Sequence, residues 1–313
     1  MKPNILVLRA LEAKQMAILE QNFTLHFFNI TAPVKQLPEQ VAASIIAIVT
    51  SGTIALTNEL IDRLPDLKII SSSGVGYDAI DIELCNKRGI KVCNTPGLMT
   101  NDTADLAIML ILATRRRLMF GDQWLRSNQW AEKGPMPLTS SLSGKKLGIV
   151  GLGRIGQAIA TRAQAMQLEI AYFGRNKKNN CDYQYESQLI DLAKWADILV
   201  VCCPGGKDTV GLINKKILIA LGKQGTLINV ARGSVVDQTA LIEALADKTI
   251  DSAGLDVFAE EPCRGDIFKG LNNVVLSPHH ASGTVETRAN MAQMVVDNLE
   301  AYFSGKALIT PVN

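Results

Sequence analysis

Leu147-Gly148-Ile149-Val150 runs directly into Gly151-Leu152-Gly153-Arg154-Ile155-Gly156, and the helical pattern of Gln157–Ala165 follows. An apolar run, a Gly-x-Gly-x-x-Gly and a helical segment, in that order, read as strand, tight turn and helix. The glycines let the backbone turn sharply and come close to a ligand, and the helix N-terminus offers unpaired N–H groups to phosphate. Alone, the pattern also fits a plain turn. Between a strand and a helix it predicts a cradle for the pyrophosphate of a dinucleotide, formed by Gly151, Gly153, Arg154, Ile155 and Gly156.

The next apolar run, Glu169–Phe173, ends at Gly174-Arg175-Asn176-Lys177-Lys178. An NAD-binding unit places an Asp or Glu here to take the ribose hydroxyls, yet no acid occurs before Asp182. Arg175, Asn176 and Lys177 suit a 2′-phosphate, so the segment predicts NADP(H) in preference to NAD(H). A solvated basic loop is the plainer alternative.

Outward from this unit the alternation continues. Four short apolar runs precede it, Ile5–Leu8, Ile45–Val49, Lys68–Ile70 and Lys91–Cys93. Four more follow, Ile198–Cys203, Thr226–Val230, Gly254–Val257 and Asn273–Leu276. Runs apolar on both faces with helices between them predict parallel sheets covered on both sides. Ten runs exceed one comfortable open sheet, so the fold class expected is α/β with two doubly wound parallel-sheet domains. Two long helices stand apart. Asn101-Asp102-Thr103 offers capping side chains to Ala104–Ala113, which is apolar nearly all round and predicted to be buried on all sides. The second runs from about Thr284 to Phe303 with Met291, Met294, Val295, Leu299 and Tyr302 on one face. We place residues 1–100 with 283–313 in a substrate domain and residues 101–282 in a dinucleotide-binding domain. Trp130–Gly144 reads as one long loop.

Composition narrows the function. The 313 residues carry 32 Lys and Arg against 30 Asp and Glu, a net charge of +2, which argues against nucleic acid as the main partner. No apolar stretch reaches bilayer length and no signal peptide precedes the first strand, so a soluble, cytoplasmic protein without a membrane partner is expected. Six cysteines without a Cys-x-x-Cys pair, and only three histidines, predict neither a disulfide framework nor a metal site.

Five segments occur in order, the glycine turn among them: Gly-Val-Gly-Tyr-Asp-Ala-Ile-Asp (74–81), Gly-Leu-Gly-Arg-Ile-Gly (151–156), Asn-Val-Ala-Arg-Gly-Ser-Val-Val-Asp (229–237), Gly-Leu-Asp-Val-Phe-Ala-Glu-Glu-Pro (254–262) and Ser-Pro-His (277–279). Over nearly its whole length the chain thereby resembles the D-isomer-specific 2-hydroxyacid dehydrogenases, within them the NADPH-dependent glyoxylate/hydroxypyruvate reductases. The resemblance implies a flavodoxin-like substrate domain, a Rossmann cofactor domain and a homodimer formed through the latter. It implies that Arg232 binds the substrate carboxylate and carbonyl, that His279 is the general acid, and that Glu261 is its carboxylate partner, favouring the imidazolium. Val75 and Gly76 match the loop whose N–H groups hold the substrate carboxylate. Asp256, Val230, Thr209 and Ser282 match positions near the cofactor. Glu260 in place of Glu261, and His280 in place of His279, stay open as alternatives.

The activity so implied is NADPH-dependent reduction of a small 2-keto acid, glyoxylate or hydroxypyruvate, to the D-2-hydroxy acid. Two rivals remain. One is an aromatic 2-keto acid (hydroxyphenylpyruvate) reductase, and the other is a slow NADP(H)-sensing binding protein of the same fold.

Overall fold

The computed structural model describes residues 2–313 and divides them into two compact units, residues 2–99 with 282–313, and Thr100–Ala281. The first unit holds a parallel sheet of β1 (Asn4–Val7), β2 (Thr24–Phe27), β3 (Ile45–Ser51), β4 (Ile69–Ser73) and β5 (Lys91–Cys93), in the order β2-β1-β3-β4-β5. This is the flavodoxin-like order. Ile5, Ile48, Val49, Ile69 and Ile70 are fully buried, as strands covered on both faces require. The Val285–Phe303 helix belongs to this unit and begins at the N-cap Thr284, whose side chain accepts from Thr287 N. Met291, Val295 and Leu299 bury its inner face, and Ser71 of β4 donates to Val295 O at 3.2 Å.

The second unit holds a seven-stranded parallel sheet, formed by β6 (Lys146–Val150), β7 (Glu169–Phe173), β8 (Gln184–Glu186), β9 (Ile198–Val201), β10 (Thr226–Asn229), β11 (Ser252–Leu255) and β12 (Val274–Leu276). Its order is β12-β11-β10-β9-β6-β7-β8, so the winding reverses between β6 and β9. Val150 pairs with Phe173 on one side and Val201 on the other. In open α/β sheets a ligand crevice opens at the carboxyl ends of the strands where this reversal occurs. The two doubly wound parallel sheets expected from the sequence are both present.

Four expectations need correction. The ten apolar runs correspond to ten strands, but β2 and β8 complete the sheets as edge strands with no buried position, so no apolar run announces them. The Thr100–Arg115 helix begins before Asn101-Asp102-Thr103, which therefore form its first turn and not its cap. That helix is not buried all round: Met109 is 52% exposed and Leu112 38%. The expected loop over Trp130–Gly144 begins only at Gly134, because Gln129–Lys133 closes a helical turn and Trp124 Nε1 donates to Gly134 O at 3.1 Å. Among the described residues no helix is long and apolar enough to cross a membrane, and no group of His, Cys, Asp and Glu could hold a metal ion.

Candidate active site

The glycine turn sits at the carboxyl end of β6, where the winding reverses. Gly151 has φ +100°, and a Cβ there would lie 2.7 Å from Cys203 Cα. At Gly156 a Cβ would lie 2.3 Å from Gly151 O, so the turn closes on the helix only with glycine at both places. Gly153 differs, since a Cβ built there meets nothing within 4 Å. The Arg154–Ala165 helix starts at Gly153 without a side-chain cap, so its first N–H groups face open space. Open space above Gly153 and an uncapped helix N-terminus fit a pyrophosphate, and these residues would hold it through backbone N–H groups.

Beyond β7, Gly174 is half-buried, whereas Arg175, Asn176, Lys177 and Lys178 are exposed. The loop is fixed from beneath by two tyrosines: Lys178 N donates to the Tyr172 hydroxyl at 2.7 Å, and the Tyr185 hydroxyl donates to Gly174 O at 3.2 Å. The rings of Tyr172 and Tyr185 lie 5.3 Å apart. Tyr185 stands on β8, the edge strand that the apolar runs leave out. The basic side chains thus stand on an anchored backbone with no acidic partner among the described residues.

At the far side of the same sheet His279 and Glu261 meet. His279 Nδ1 lies 2.6 Å from Glu261 Oε2, and Phe258 N donates to Glu261 Oε1 at 3.0 Å. An ionised carboxylate only accepts, so Nδ1 carries the hydrogen and Nε2 is left as the outward ring nitrogen. Burial pushes the Glu261 carboxyl up. The His279 hydrogen bond, the Phe258 N–H and the charges of His279 and Arg232 outweigh it, and the carboxyl ends below its ordinary value. Glu260 and His280 are both exposed, and the His280 backbone N–H is tied to Asp256. The geometry thus brings together His279 and Glu261, and neither alternative.

Asp256 builds the loop that carries His279. It is fully buried, and its carboxylate accepts from Ser277 Oγ (2.6 Å), His280 N (2.7 Å) and Ala281 N (3.1 Å). Its backbone carbonyl accepts from His279 N at 2.8 Å. Burial pushes its carboxyl up, against hydrogen bonds from Ser277, His280 and Ala281 that favour the ionised form. These bonds hold His279 in the left-handed region at φ +49°, which aims the ring back at Glu261.

Arg232 lies just beyond β10, half-buried, with Nη1 donating to Ala231 O at 2.9 Å. Asn229 braces this turn, accepting from Ala231 N at 3.1 Å and donating to Arg232 O at 3.0 Å. Gly233 then lies against the Glu261 turn, where a Cβ would fall 1.8 Å from Phe258 O. Arg232 and Glu261 are neighbours because position 233 has no side chain.

In the first unit, Val75 and Gly76 follow β4. Gly74 has φ +134°, and a Cβ at Gly52 would lie 2.5 Å from Gly76 O. Among the described residues neither the Val75 nor the Gly76 N–H has a hydrogen-bond acceptor, which leaves two adjacent donors for an anion.

The remaining sequence candidates have more local surroundings. Thr209 Oγ1 lies 2.9 Å from Pro204 O and 3.1 Å from Gly206 O, closing its own loop. Val230 is buried and donates its N–H to Val201 O at 3.1 Å. Ser282 is half-buried in the turn after Ala281 and falls in the first unit. Sequence reasoning missed Asn229, Ser277 and Gly233. A buried Asn ending an apolar strand is the one signal that pointed to the first of them.

Comparison with known proteins agrees with this geometry. Residues 108–281 match the family described as D-isomer specific 2-hydroxyacid dehydrogenase, NAD binding domain. The chain is 49% identical over 271 residues to hydroxyphenylpyruvate reductase of Plectranthus scutellarioides, covering 87% of this chain and 86% of that protein. It is 47% identical over 294 residues to a glyoxylate/hydroxypyruvate reductase of Arabidopsis thaliana, covering 94% of each. Among solved structures it resembles the NADPH-dependent glyoxylate/hydroxypyruvate reductase of Sinorhizobium meliloti in complex with NADP and malonate. That likeness has a TM-score of 0.92 at 40% identity and covers 100% of this chain and 97% of the other.

Proposed function

This chain belongs to the D-isomer-specific 2-hydroxyacid dehydrogenases, and we propose that it reduces a small 2-keto acid, glyoxylate or hydroxypyruvate, to the D-2-hydroxy acid with NADPH. The observation that carries this reading is the His279–Glu261 pair at 2.6 Å with Arg232 held beside it. Bound reduced nicotinamide supplies the hydride. The chain's residues do the rest: Arg232 binds the carboxylate and draws charge from the carbonyl, and His279 Nε2 delivers a proton to the carbonyl oxygen. Glu261 stabilises the charged imidazole before that transfer. The Val75 and Gly76 N–H groups bind the substrate carboxylate.

NADP(H) is the preferred cofactor in this reading. Support comes from Arg175, Asn176 and Lys177 on their anchored loop and from the NADP bound by the similar reductase of Sinorhizobium meliloti. Asp256, Val230, Thr209 and Ser282 complete the nicotinamide side. A second reading, reduction of an aromatic 2-keto acid, is favoured by the 49% identity to the Plectranthus enzyme.

Initial rates with glyoxylate, hydroxypyruvate and 4-hydroxyphenylpyruvate, each with NADPH and NADH, test the assignment. The expected result is fast NADPH-linked turnover of the first two, with Arg175→Ala lowering the NADPH-to-NADH preference about tenfold. Preference for the aromatic acid establishes the second reading. NADPH binding without turnover of any of the three overturns both and leaves the sensing role.

The second unit also presents Met109, Leu112, Leu118, Met119, Leu125 and Trp130 as exposed apolar side chains. All six lie on three successive helices between Thr100 and Lys133 that contact one another, and exposed apolar surface gathered on neighbouring helices marks an interaction site. We propose that a second copy of the chain covers them. Light scattering is expected to give twice the monomer mass, and Leu118→Asp with Leu125→Asp to give the monomer; a wild-type monomer at micromolar concentration rejects the dimer.

A further inference from the structure

The reading above gives the substrate carboxylate to the Val75 and Gly76 N–H groups, and the inference here rests on it. A peptide N–H shares one rigid plane with the carbonyl that precedes it. The Val75 N–H is therefore aimed by the Gly74 carbonyl, and the Gly76 N–H by the Val75 carbonyl. Both carbonyls are held from behind. Gly74 O accepts from Thr95 N at 2.9 Å, and Val75 O accepts from Asn94 Nδ2 at 2.8 Å. Gly74 N completes the clasp by donating to Thr95 Oγ1 at 2.9 Å. A donor on a peptide carbonyl also polarises that peptide and strengthens its N–H as a donor.

Asn94 and Thr95 follow β5 and are buried. Asn94 is positioned by Thr310, whose Oγ1 donates to Asn94 O at 2.6 Å. Thr310 is positioned by Asn298 on the Val285–Phe303 helix. Asn298 Oδ1 accepts from Ile309 N at 3.2 Å and Thr310 N at 3.1 Å. Its Nδ2 donates to Met294 O at 2.9 Å and Thr310 Oγ1 at 2.8 Å. A fully buried amide with both oxygen and both hydrogen positions engaged has one orientation, since any other strands a polar group away from water. Asn313 extends the same attachment to β5, accepting from Val92 N at 2.8 Å and donating to Ile90 O at 2.9 Å.

We propose that Asn94, Thr310 and Asn298 are positioning residues for the substrate carboxylate: the segment after the last helix sets Asn94, and Asn94 sets the peptide planes at Val75 and Gly76. None of the three touches substrate in this scheme. Losing them loosens a binding contact made equally in the ground and transition states, so KM moves and kcat does not.

The experiment compares Asn94→Ala, Thr310→Val, Thr310→Ser and the Asn94→Ala/Thr310→Val double variant, with glyoxylate and NADPH, after thermal unfolding shows each to be folded. Thr310→Val keeps the side-chain volume, so it tests the scheme even where Asn94→Ala fails to fold. Expected are a KM raised about tenfold in Asn94→Ala and about threefold in Thr310→Val, with kcat within about twofold. Thr310→Ser, which keeps the hydroxyl, is expected to match the wild type. Because Thr310 acts through Asn94, the double variant is no worse than Asn94→Ala. The inhibition constant of oxamate, a carboxylate that accepts no hydride, rises in step, and NADPH affinity stays constant. Folded variants with wild-type KM, or additive effects in the double variant, overturn the proposal and leave these residues as anchors of the fold. A wild-type protein that turns over no 2-keto acid instead removes the parent reading, and this one with it.

Discussion

His279→Asn is expected to lower kcat by about a thousandfold, within the range general acid catalysis contributes, while the NADPH dissociation constant stays within about twofold. Asparagine is the substitution of choice because position 279 has φ +49°, a region that Asn tolerates and most other residues do not. The backbone bonds from positions 279, 280 and 281 to Asp256 are then kept, and the loss reports the ring alone. His280→Ala is expected to retain near-wild-type turnover. Full activity in His279→Asn with loss in His280→Ala would transfer the acid role to the neighbour. The pH dependence follows from Glu261. Its carboxyl in the folded protein lies below the ordinary value, so the pair with His279 is intact above the ordinary carboxylate range. It is lost as pH falls through the lowered value, and the stability it contributes goes with it. An acid limb of kcat that is present in wild type and absent in Glu261→Gln checks this.

Gly233→Ala is the second large effect, and it arises from backbone contact alone. A methyl group there would lie 1.8 Å from Phe258 O and 2.5 Å from Ala259 N. Neither atom belongs to a side chain that can swing aside, so the strand end bearing Arg232 must separate from the turn bearing Glu261. Overpacking of this kind costs about 3 kcal/mol, or roughly 5 °C in Tm for a chain of this size. Misplacing Arg232 and Glu261 by about 1 Å is expected to lower kcat/KM by at least about a hundredfold. Gly153→Ala provides the contrast, because a methyl group there meets nothing within 4 Å. Wild-type Tm with weakened NADPH binding is its expected outcome. Wild-type kinetics in Gly233→Ala would show that the two segments need not touch for catalysis.

The sequence made the apolar middle of each sheet legible, together with the glycine turn between β6 and the helix after it. Strands such as Ile198–Val201 are buried on both faces and leave a continuous apolar signature. Thr24–Phe27 and Gln184–Glu186 leave none, since an edge strand pairs on one side and carries polar residues such as Thr24, His26, Gln184 and Glu186. The candidate trio Arg232, Glu261 and His279 came from motifs that carry the family resemblance. The groups that hold it were not legible, because their work is done by backbone bonds and close approach. Asn229, Ser277, Asn94 and Gly233 belong to no charge pattern and no periodicity. Gly233 faces a carbonyl, and an Asn after β5 reaches back to Val75, through approaches in space between segments distant in sequence.

The glycine turn leans on sulfur. Gly151 packs against Cys203, and Cys202 Sγ donates to Gly151 O at 3.1 Å. Burial pushes the Cys203 thiol up to about 11 and the Cys202 thiol higher still. At neutral pH both therefore remain protonated, and a protonated thiol is a poor nucleophile toward peroxide, disulfides or alkylating agents. The turn beneath the proposed cofactor site thus gains a small, polarisable filler whose thiols are held in the protonated, less reactive form.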